Sequence, residues 1–519
     1  MTSRFLTILL SLSCCPFAWA AVNPYNIIPE PVKVETTSDT TRALGIVKEK
    51  QKKGMAPEGY VLRLKPEGVE LSYSSPAGRG MALATLEQLK DQLEETPDGI
   101  PCGRIEDAPD FEWRGMMVDV GRYRYPVETL RKFIDAMHYY KFNVLHLHMT
   151  EDQGWRFPVP GYDKLRSIGS VRPSAPEGQK NSLLPNEGMY TEKELREIVE
   201  YCAERGISVL PEIEMPGHNM ALAASYPELC CNSGKAQVWT HGGVSSKLIC
   251  PNKPATRKFI KDVFGAVAKI FPFEYVHVGG DECPMGDWKN CPDCKKARAA
   301  KGQGDDVQAQ MSDFTAGLAK QLSVWKRRPI LWYDINKKYY HKGETVMSWL
   351  PGEFPKCIDR TKEQGIDLIV TPQFKYYLAR CQQQFPGNDP RYAPGGRIIR
   401  LEDCYNFDPR DGRRRGEVKH IKGINLCMWA EWIPSEELLM YMTFPRAIAV
   451  SETAWGRHDR RPDLEAFKSK LERHKNRFEK RFGYTLERTP ENKPYRESAV
   501  TQEEIDRINA NYRKGQEQW

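Results

Sequence analysis

The sequence predicts an α/β fold, a (β/α)8 (TIM) barrel preceded by a small α+β domain and followed by a helical C-terminal extension. From about residue 113, short β-rich runs alternate with amphipathic helical stretches, and eight such runs occur. The runs are almost continuously apolar, as in a sheet buried on both faces. They are GMMVDVGR (115–122), FNVLHLHMTED (142–152), ISVLPEIEMPGH (207–218), YVHVGGDE (275–282), PILWYDI (329–335), TVMSWL (345–350), DLIVTPQ (367–373) and INLCMWAEW (424–432).

Helical stretches separate these runs, and they include residues 127–141, 191–206 and 254–271. In the second stretch, Thr191 and Glu194 have the spacing of a capping box, and its final glycine suits a helix end. Strands that alternate with helices imply a parallel sheet, and eight such units suggest a closed barrel. We assign the barrel to residues 109–457.

The flanking segments differ from the barrel in pattern. Residues 21–108 are predicted to form the small α+β domain, because 59–75 alternates like two strands around a KPEG turn and 80–93 has a helical pattern. Residues 458–519 form the helical extension, with an amphipathic helix at 461–483. The polar end of this extension is expected to dock loosely.

Residues 1–20 have the features of a secretory signal peptide. Arg4 precedes an apolar run, and Ala18 and Ala20 provide small residues for cleavage after Ala20. The protein is therefore expected to be exported, to the periplasm, the cell surface or the medium. A lipoprotein anchored through Cys14 or Cys15 is an alternative, although neither cysteine lies in a good lipobox. No later stretch approaches the ~18 apolar residues of a membrane span.

Composition excludes some classes of partner. Charged residues at 28% and hydrophobic residues at 40% are typical of a soluble globular protein. The formal net charge of +7 is mild for 519 residues, and its excess lies in 408–420 and the C-terminal tail. No nucleic-acid-binding motif accompanies it, so no nucleic-acid partner is predicted. The sequence leaves the oligomeric state open.

Twelve cysteines remain after removal of the signal peptide, and six of them crowd two loops. The motif CPDC at 291–294 permits a zinc site, but no second close cysteine pair or histidine pair accompanies it. We therefore favour disulfide bonds that cross-link the loops in an oxidising compartment. The six cysteines are Cys230, Cys231, Cys250, Cys283, Cys291 and Cys294.

Two neighbouring acids, Asp281 and Glu282, follow the fourth run directly after Gly279 and Gly280. Neighbours along a strand point to opposite faces, so both acids can reach one site only if the strand ends before them. The glycines permit a bend that turns both acids into the barrel mouth. There, mutual repulsion is expected to raise the pKa of one carboxyl while the other stays ionised. A salt-bridged pair at a strand end is the structural alternative.

Catalytic groups of such barrels lie at the carboxyl ends of the strands. Five of the eight runs end in an ionisable or aromatic residue and two more have one next to the end, and the large aromatic residues Trp332, Trp349, Trp429 and Tyr377 accompany the acids. This combination predicts a sugar-sized pocket with aromatic walls. Taken singly, each of these aromatic residues is equally consistent with plain core packing.

Five motifs, in order along the chain from about 110 to 456, resemble glycoside hydrolase family 20, the β-N-acetylhexosaminidases. The segment before the barrel also resembles the small domain that precedes that family's barrel. The resemblance implies an exo-acting enzyme that removes terminal GlcNAc or GalNAc from glycans and needs neither a metal nor an organic cofactor. The motifs are WRGMMVDVGRYRY, FIDAMHYYKFNVLHLHMTEDQGWR, PEIEMPGH, HVGGDE and MWAEW.

The resemblance also implies a mechanism that departs from the two-carboxylate scheme of most glycosidases. The 2-acetamido oxygen of the substrate attacks the anomeric carbon and gives an oxazolinium ion. By residue-to-residue correspondence, Glu282 protonates the departing oxygen and later activates water, and Asp281 accepts a hydrogen bond from the acetamido N–H. Tyr377 donates to the acetamido oxygen and holds this weak nucleophile in position.

Further residues correspond to the family's substrate-binding positions. Trp332, Trp349 and Trp429 match the pocket walls, and Arg122 and Glu431 match groups that bind sugar hydroxyls. His218 matches a histidine near the acid, and His277 is expected to lie behind the site.

Two departures from the family pattern stand out. Glu151 and Asp152 stand where the family usually has two aspartates. Glu151 is expected to take the role of the first aspartate, with a longer side chain. Ala379 follows Leu378 where the family usually has Asp or Asn. This puts the usual contacts to the outer hydroxyls in doubt, and Arg380 or a loop residue could compensate.

Three other functions fit parts of the sequence. A metal-dependent barrel hydrolase would use His146 and His148, which share one face of a strand, together with His218. A non-catalytic glycan-binding protein would keep the pocket and lose turnover, which the intact Asp281 and Glu282 argue against. An endo-acting, chitinase-like barrel would need an open cleft and its own acid motif, which the sequence lacks.

Overall fold

The computed structural model describes residues 23–232, 234–334, 340–350, 354–382, 398–456, 461–487 and 500–518. The predicted signal peptide, with Cys14 and Cys15, lies outside these ranges. Within them, no helix combines the length and the apolar character needed to cross a bilayer.

The N-terminal domain combines a sheet with one helix, as predicted, and its sheet has five strands where the sequence indicated two. The KPEG segment forms a two-residue turn between antiparallel strands, with Lys65 opposite Gly68. Ser75 caps the following helix, Pro76–Glu95, by accepting a hydrogen bond from the backbone N–H of Gly78. In spatial order, the strands are Lys33–Thr41, Ile100–Asp107, Tyr60–Lys65, Gly68–Tyr73 and Ile46–Gln51.

The eight predicted runs form a closed parallel barrel, which confirms the fold class. Closure pairs the last strand with the first, in a register that runs from Gly423 opposite Trp113 to Met428 opposite Val118. A β-carbon on Gly423 would lie 1.9 Å from the carbonyl oxygen of Trp113, so the two backbones can approach only at a glycine. Barrel strands 1 to 8 are Trp113–Asp119, Val144–His148, Ser208–Glu212, Tyr275–His277, Arg328–Tyr333, Thr345–Ser348, Asp367–Val370 and Ile421–Met428.

All eight strands end before the predicted runs do, and the last residue of the fifth run lies outside the described residues. The clearest case is strand 4, which ends at His277 although the apolar pattern continues to Val278 and the run to Glu282. The extra residues of the runs belong to the loops at the barrel mouth. Their backbone leaves the ladder, so their side chains are positioned by loop geometry rather than by strand alternation.

Helices surround the barrel where the sequence predicts them. Thr191 and Glu194 form the expected capping box, and Gly206 follows that helix with φ +71°. The barrel helices are Val127–Tyr139, Glu192–Glu204, Met220–Ser225, Pro254–Ile270, Gly286–Asn290, Pro292–Ala300, Val307–Ser323, Phe354–Gln364, Gln373–Tyr376, Leu401–Tyr405 and Glu436–Trp455. Shorter pieces are a π-helix at Leu165–Gly169, 3₁₀ turns at Pro227–Leu229 and Arg415–Glu417, and the two-residue strands Thr150–Glu151, Gly154–Trp155, Val171–Arg172 and Asn186–Glu187.

The C-terminal extension contributes two helices, Leu464–Phe482 and Gln502–Glu517. The second packs closely against the barrel, so the expectation of loose docking is wrong. Its Gly515 approaches a barrel loop so tightly that a β-carbon there would lie 2.1 Å from the carbonyl oxygen of Ser167. Asn509 also accepts a hydrogen bond from the backbone N–H of Ser174 at 2.9 Å.

The barrel interior has its own apolar cluster below the mouth, separate from the larger layer between strands and helices. This cluster fills the lower barrel, and the cavity described below lies above it, at the carboxyl ends of the strands. The buried members of the cluster are Trp113, Met117, Val144, Leu210, Tyr275, Ile330, Trp332, Met347, Ile369 and Cys427.

The expected disulfides are not formed. All twelve cysteines in the described part of the chain are free thiols. In the crowded loops, the Sγ atoms of Cys231 and Cys294 lie 3.7 Å apart, and those of Cys250 and Cys291 lie 3.8 Å apart. A disulfide bond would place its sulfurs about 2.05 Å apart.

Candidate active site

A cavity of about 230 Å³ opens at the carboxyl ends of the barrel strands. Every residue predicted for the site lines it, with the exception of Trp332. The lining consists of Arg122, Glu151, His218, Asp281, Glu282, Trp349, Gln373, Tyr377, Ala379, Arg380, Trp429, Glu431 and Trp432.

The two acids face this cavity together, as the glycine motif predicted. Gly279 and Gly280 have φ of +70° and +100°, and Glu282 itself has φ +44°. As a result, Asp281 Oδ2 and Glu282 Oε2 lie 3.7 and 3.6 Å from Nε2 of His218. A chain that turns in the left-handed region places both neighbours on the same side.

The two carboxyl groups differ in exposure. Asp281 is buried, whereas the Glu282 side chain is 40% exposed at the cavity mouth. Burial raises the pKa of Asp281, with His218 opposing the shift. Burial and then the neighbouring Asp281 raise the pKa of Glu282. Both pKa values are thus raised, whereas the sequence predicted a raised value for one acid only.

Asp281 also offers an unused hydrogen-bond acceptor. Among the residues that the structure describes, no group donates to its buried Oδ1 atom. A buried carboxylate oxygen is costly to leave without a donor. The position is therefore suited to a ligand that brings its own N–H or O–H into the cavity.

His218 connects this acid pair to a second acidic group. Its Nδ1 lies 3.1 Å from Glu151 Oε2, on the side of the ring opposite Asp281 and Glu282. Burial acts to lower the pKa of His218, but Glu151 and Asp281 outweigh it, and the pKa lies well above its ordinary value. The ring is therefore a cation that bridges carboxylates on both sides.

Arg122 organises the opposite wall of the cavity. Its Nη1 donates to Asp119 Oδ2 at 2.8 Å, and its Nη2 lies 2.9 Å from Glu151 Oε1. The same Nη2 lies 3.7 Å from Glu431, and the guanidinium carbon is 5.4 Å from the centre of the Trp429 ring. Glu151 contacts both Arg122 and His218, so the longer side chain at this position does reach its partners.

Aromatic side chains form the remaining wall. Tyr377 stacks beside Trp349 at 6.5 Å and 12° between ring planes, and its ring centre lies 5.9 Å from that of Trp429. Burial, followed by the charges of nearby groups that include Asp281, raises the pKa of Tyr377 well above its usual range. The Tyr377 hydroxyl therefore keeps its proton and can donate a hydrogen bond into the cavity.

Trp332 lies below the cavity instead of lining it. Its side chain is 1% exposed, and its indole N–H donates to Glu212 Oε1 at 2.7 Å. The Trp332 ring centre is 5.8 Å from that of Trp429. Trp332 therefore supports the pocket from beneath, because it points into the barrel interior from within strand 5.

Glu212 is the centre of a buried polar network that the sequence did not reveal. His146 Nε2 and His277 Nδ1 lie 2.9 and 2.8 Å from its carboxylate, and His148 Nδ1 is also in contact. Burial acts to raise the pKa of Glu212, but the three histidines outweigh it and hold the pKa well below its ordinary range. His277 thus lies behind the site, as expected.

The positions of these histidines bear on the metal-hydrolase alternative. His146 and His148 contact Glu212 beneath the cavity and do not line it. His218, Asp281 and Glu282 are close enough together to share a cation. In the metal-free protein, Glu151 on one side and Asp281 on the other raise the pKa of His218 well above its ordinary value, so the ring itself is the cation of this cluster.

The sequence missed some residues of the site. Glu214, in the PEIEMPGH motif, accepts from the backbone N–H of Gly280 at 3.4 Å, and burial together with Asp281 raises its pKa well above normal. Gln373 was also missed: it accepts a hydrogen bond at 3.0 Å from Arg380, the residue that the sequence offered to compensate for Ala379, and both line the cavity. Trp432, the last residue of MWAEW, completes the rim. Only its place in that motif could have indicated it.

Comparison with known proteins places this geometry in a family. The profile of "Glycosyl hydrolase family 20, catalytic domain" matches residues 111–458, and that of "Glycosyl hydrolase family 20, domain 2" matches residues 29–108. A β-hexosaminidase of Akkermansia muciniphila is 43% identical over 488 residues, which cover 94% of this chain and 96% of the relative. A β-N-acetylhexosaminidase of Cellulomonas fimi is 28% identical over 446 residues, which cover 86% and 83%.

Solved structures agree with the sequence comparison. A crystal structure of a β-N-acetylhexosaminidase superposes with a TM-score of 0.85 at 43% identity, over 91% of this chain and 98% of that one. The exo-β-N-acetylglucosaminidase of Vibrio harveyi, solved in complex with N-acetylglucosamine, gives a TM-score of 0.78 at 25% identity, over 90% and 79%.

Proposed function

The chain belongs to glycosyl hydrolase family 20 and is a glycosidase of the β-N-acetylhexosaminidase class, and we propose that it removes terminal GlcNAc or GalNAc from glycans with help from the substrate's own acetamido group. The observation that carries the proposal is the convergence of Asp281 and Glu282 on one small cavity beside Tyr377. Each of the three groups has a protonation state or an exposure that suits one step of the reaction.

In the first step, the acetamido oxygen forms a bond to the anomeric carbon while the glycosidic C–O bond breaks. Glu282 gives its proton to the departing oxygen, for which its raised pKa and its position at the cavity mouth are suited. The unused Oδ1 of Asp281 accepts the acetamido N–H, and the Tyr377 hydroxyl donates to the acetamido oxygen. These contacts hold the amide in a near-attack geometry.

In the second step, water adds to the anomeric carbon of the oxazolinium ion. Glu282, now ionised, removes a proton from this water, and the bond from the acetamido oxygen to the anomeric carbon breaks. The amide is restored, and Glu282 is again protonated. Because the anomeric carbon is attacked twice, the product keeps the β configuration.

The size of the cavity supports exo action. At about 230 Å³ it lies below the ~300–1,000 Å³ of pockets for drug-sized ligands, so a single sugar residue fills it. Arg122 and Glu431 provide a donor fork and an acceptor for hydroxyls, and Trp429 offers a face for the ring. An endo-acting enzyme would need a cleft that is open at both ends.

We also propose that the enzyme works outside the cytoplasm, on glycans met after export. The features of residues 1–20 support this placement. Fractionation of the native host, followed by detection of the protein with an antibody, tests it. Recovery of an uncleaved chain in the cytoplasm would contradict it.

The proposed reaction is tested with a matched set of nitrophenyl β-glycosides. The GlcNAc and GalNAc substrates should be hydrolysed, and the glucoside, which lacks the acetamido group, should not. Replacing the acetyl group by fluoroacetyl and trifluoroacetyl should lower kcat stepwise, because fluorine weakens the amide oxygen as a nucleophile. A thiazoline analogue of the oxazolinium ion should inhibit strongly. Equal rates across the fluorinated series would exclude participation of the acetamido group.

A further inference from the structure

Four cysteines from two active-site loops meet beside the barrel mouth. Cys231 and Cys250 belong to the loop after strand 3, and Cys291 and Cys294 belong to the loop after strand 4. The first pair is held side by side by antiparallel backbone hydrogen bonds, Cys231 N–H to Leu248 O at 3.1 Å and Cys250 N–H to Leu229 O at 2.8 Å. The four residues therefore converge although up to 63 positions separate them.

The spacing of the sulfurs is that of a tetrahedral metal site. The Sγ atoms lie 3.7 Å apart for Cys231 and Cys294, 3.8 Å for Cys250 and Cys291, and 3.7 Å for Cys250 and Cys294. All four sulfurs lie within 4.8 Å of one another. Zinc–sulfur bonds of ~2.3 Å at tetrahedral angles place sulfurs about 3.8 Å apart. Disulfide bonds would need separations of about 2.05 Å.

The surroundings favour thiolates in this cluster. Cys291 occupies the N-cap of the helix Pro292–Ala300, and Cys294 lies in its first turn. The positive end of a helix dipole stabilises a thiolate at such positions. Asn252 Nδ2 also donates to Cys294 Sγ at 3.3 Å. Cys250, Cys291 and Cys294 are buried, so the site is closed to solvent on most sides.

We propose that Cys231, Cys250, Cys291 and Cys294 bind one zinc ion as a structural site. Four thiols lose their protons to solvent on binding, and each sulfur forms one bond to Zn²⁺ without any change in oxidation state. Four sulfur ligands complete the tetrahedron and leave no position for water, which is typical of a structural rather than a catalytic site. The ion takes no part in the glycosidase reaction.

The zinc ion would join the two loops that carry His218 and the acid pair. Those loops already contact each other near the cluster, since Trp288 Nε1 in the second loop donates to Ile249 O in the first at 2.8 Å. Within the first loop, Ile249 N–H donates to Pro216 O at 3.1 Å and so connects this contact to the residues beside His218. Beside them, a β-carbon on Gly217 would lie 3.0 Å from Cys283 Sγ. Zinc bound by cysteines of both loops would hold the loops together close to the site. It would thereby fix the distance from His218 in one loop to Asp281 in the other.

Metal analysis of the untagged, full-length protein, purified without added metal or reductant, tests the proposal. We expect about one zinc per chain in the wild type and background zinc in the double variant Cys291→Ser/Cys294→Ser. Cys202→Ser is the matched control, because this buried cysteine lies on a helix away from the cluster. It should retain the full zinc content. Zinc at background in the wild type, or iron in its place, would overturn the proposal.

Three further measurements do not depend on the folding of the variant. A strong zinc chelator should lower the Tm of the wild type and leave the Tm of any soluble double variant unchanged. Protein grown with cobalt should show thiolate-to-cobalt charge-transfer absorption and the visible bands of tetrahedral Co²⁺. Peptide mapping without reduction should find all four thiols alkylatable only after metal removal. A disulfide between any two of these cysteines in that map would overturn the proposal.

Discussion

Glu214 fills the space that a β-carbon on Gly279 would need, because such an atom would lie 1.9 Å from Glu214 Oε2. This contact explains why the chain has glycine at the start of the loop that carries Asp281 and Glu282. The positive φ of Gly279 and the buried carboxyl of Glu214 both exclude a side chain there. Asp281 and Glu282 depend on this close approach for their common orientation.

Gly279→Ala should therefore damage both stability and catalysis. The left-handed backbone alone costs an alanine roughly 1–2 kcal/mol, and the clash with Glu214 adds to it. We expect a lower free energy of unfolding in urea and, because the acid pair is displaced, a fall in kcat/KM of about 100-fold. Gly286→Ala on the same loop is the control, since a β-carbon there meets nothing within 4 Å. Equal behaviour of the two variants would refute this explanation.

Glu282→Gln should abolish general-acid catalysis. The loss of rate should be largest for substrates whose leaving group must be protonated. For natural oligosaccharides, whose leaving group requires a proton, kcat/KM should fall by about 10²–10⁴-fold. For nitrophenyl glycosides the first step should be affected less. The control is Glu274→Gln, whose exposed side chain lies before strand 4, away from the cavity. A loss that is independent of the leaving group would contradict the assigned role.

Asp281→Asn should remove the acceptor for the acetamido N–H and the negative charge behind the developing cation. We expect kcat to fall by about 10²–10³-fold, with a smaller change in KM, and the thiazoline inhibitor to bind more weakly. Glucosamine-type substrates without an acetyl group remain unreactive in both forms. A variant with normal kcat on GlcNAc substrates would refute the role of Asp281.

Asp281→Asn should also shift the pH dependence of kcat/KM. Burial and then the charge of Asp281 raise the pKa of Glu282, which must be protonated to act as the acid. Removing that charge lowers the pKa of Glu282, so the alkaline limb of the kcat/KM profile should move to lower pH. The residual activity of Asp281→Asn, followed across pH, measures this. An alkaline limb that stays in place or moves upward would contradict it.

Glu452 offers a test of stability that leaves the site untouched. Burial raises its pKa from 4.5 to about 7, while its Oε2 accepts from the backbone N–H of Glu30 at 3.0 Å. The folded state thus holds the proton more tightly than the unfolded chain. Ionising Glu452 therefore costs more free energy in the folded state than in the unfolded chain. The wild type does not bear this cost below about pH 4.5, and it loses stability as pH rises towards 7. The loss should approach ~3 kcal/mol.

Glu452→Gln keeps the acceptor for Glu30 and removes the ionisation. The variant should therefore match the wild type at pH 4.5 and exceed it in urea unfolding at pH 7.5. Glu465→Gln provides the control, because this side chain is 82% exposed. If the Glu452→Gln and wild-type curves stay parallel across pH, Glu452 does not titrate as described.

Local patterns in the chain were sufficient for the architecture. Eight apolar runs separated by capped helices predicted the closed barrel, and the glycines before Asp281 and Glu282 predicted the bend that brings both acids to one cavity. These features depend on backbone conformation and on side chains within a few residues of one another. Strand ends were predicted less well, because the apolar alternation of strand 4 continues past His277 into the loop.

The sequence alone therefore determined the fold and most of the residues that line the cavity, while the tertiary structure decided how those residues are paired. Trp332 lies under the pocket because strand 5 directs it at Glu212, 120 positions away. The cysteine cluster joins two loops: the sequence spacing indicated only the pair Cys291 and Cys294, and the fold brings Cys231 and Cys250 to it. Barrel closure brings distant strand ends within a few ångströms of one another, and contacts made in this way leave no periodic signal in the sequence.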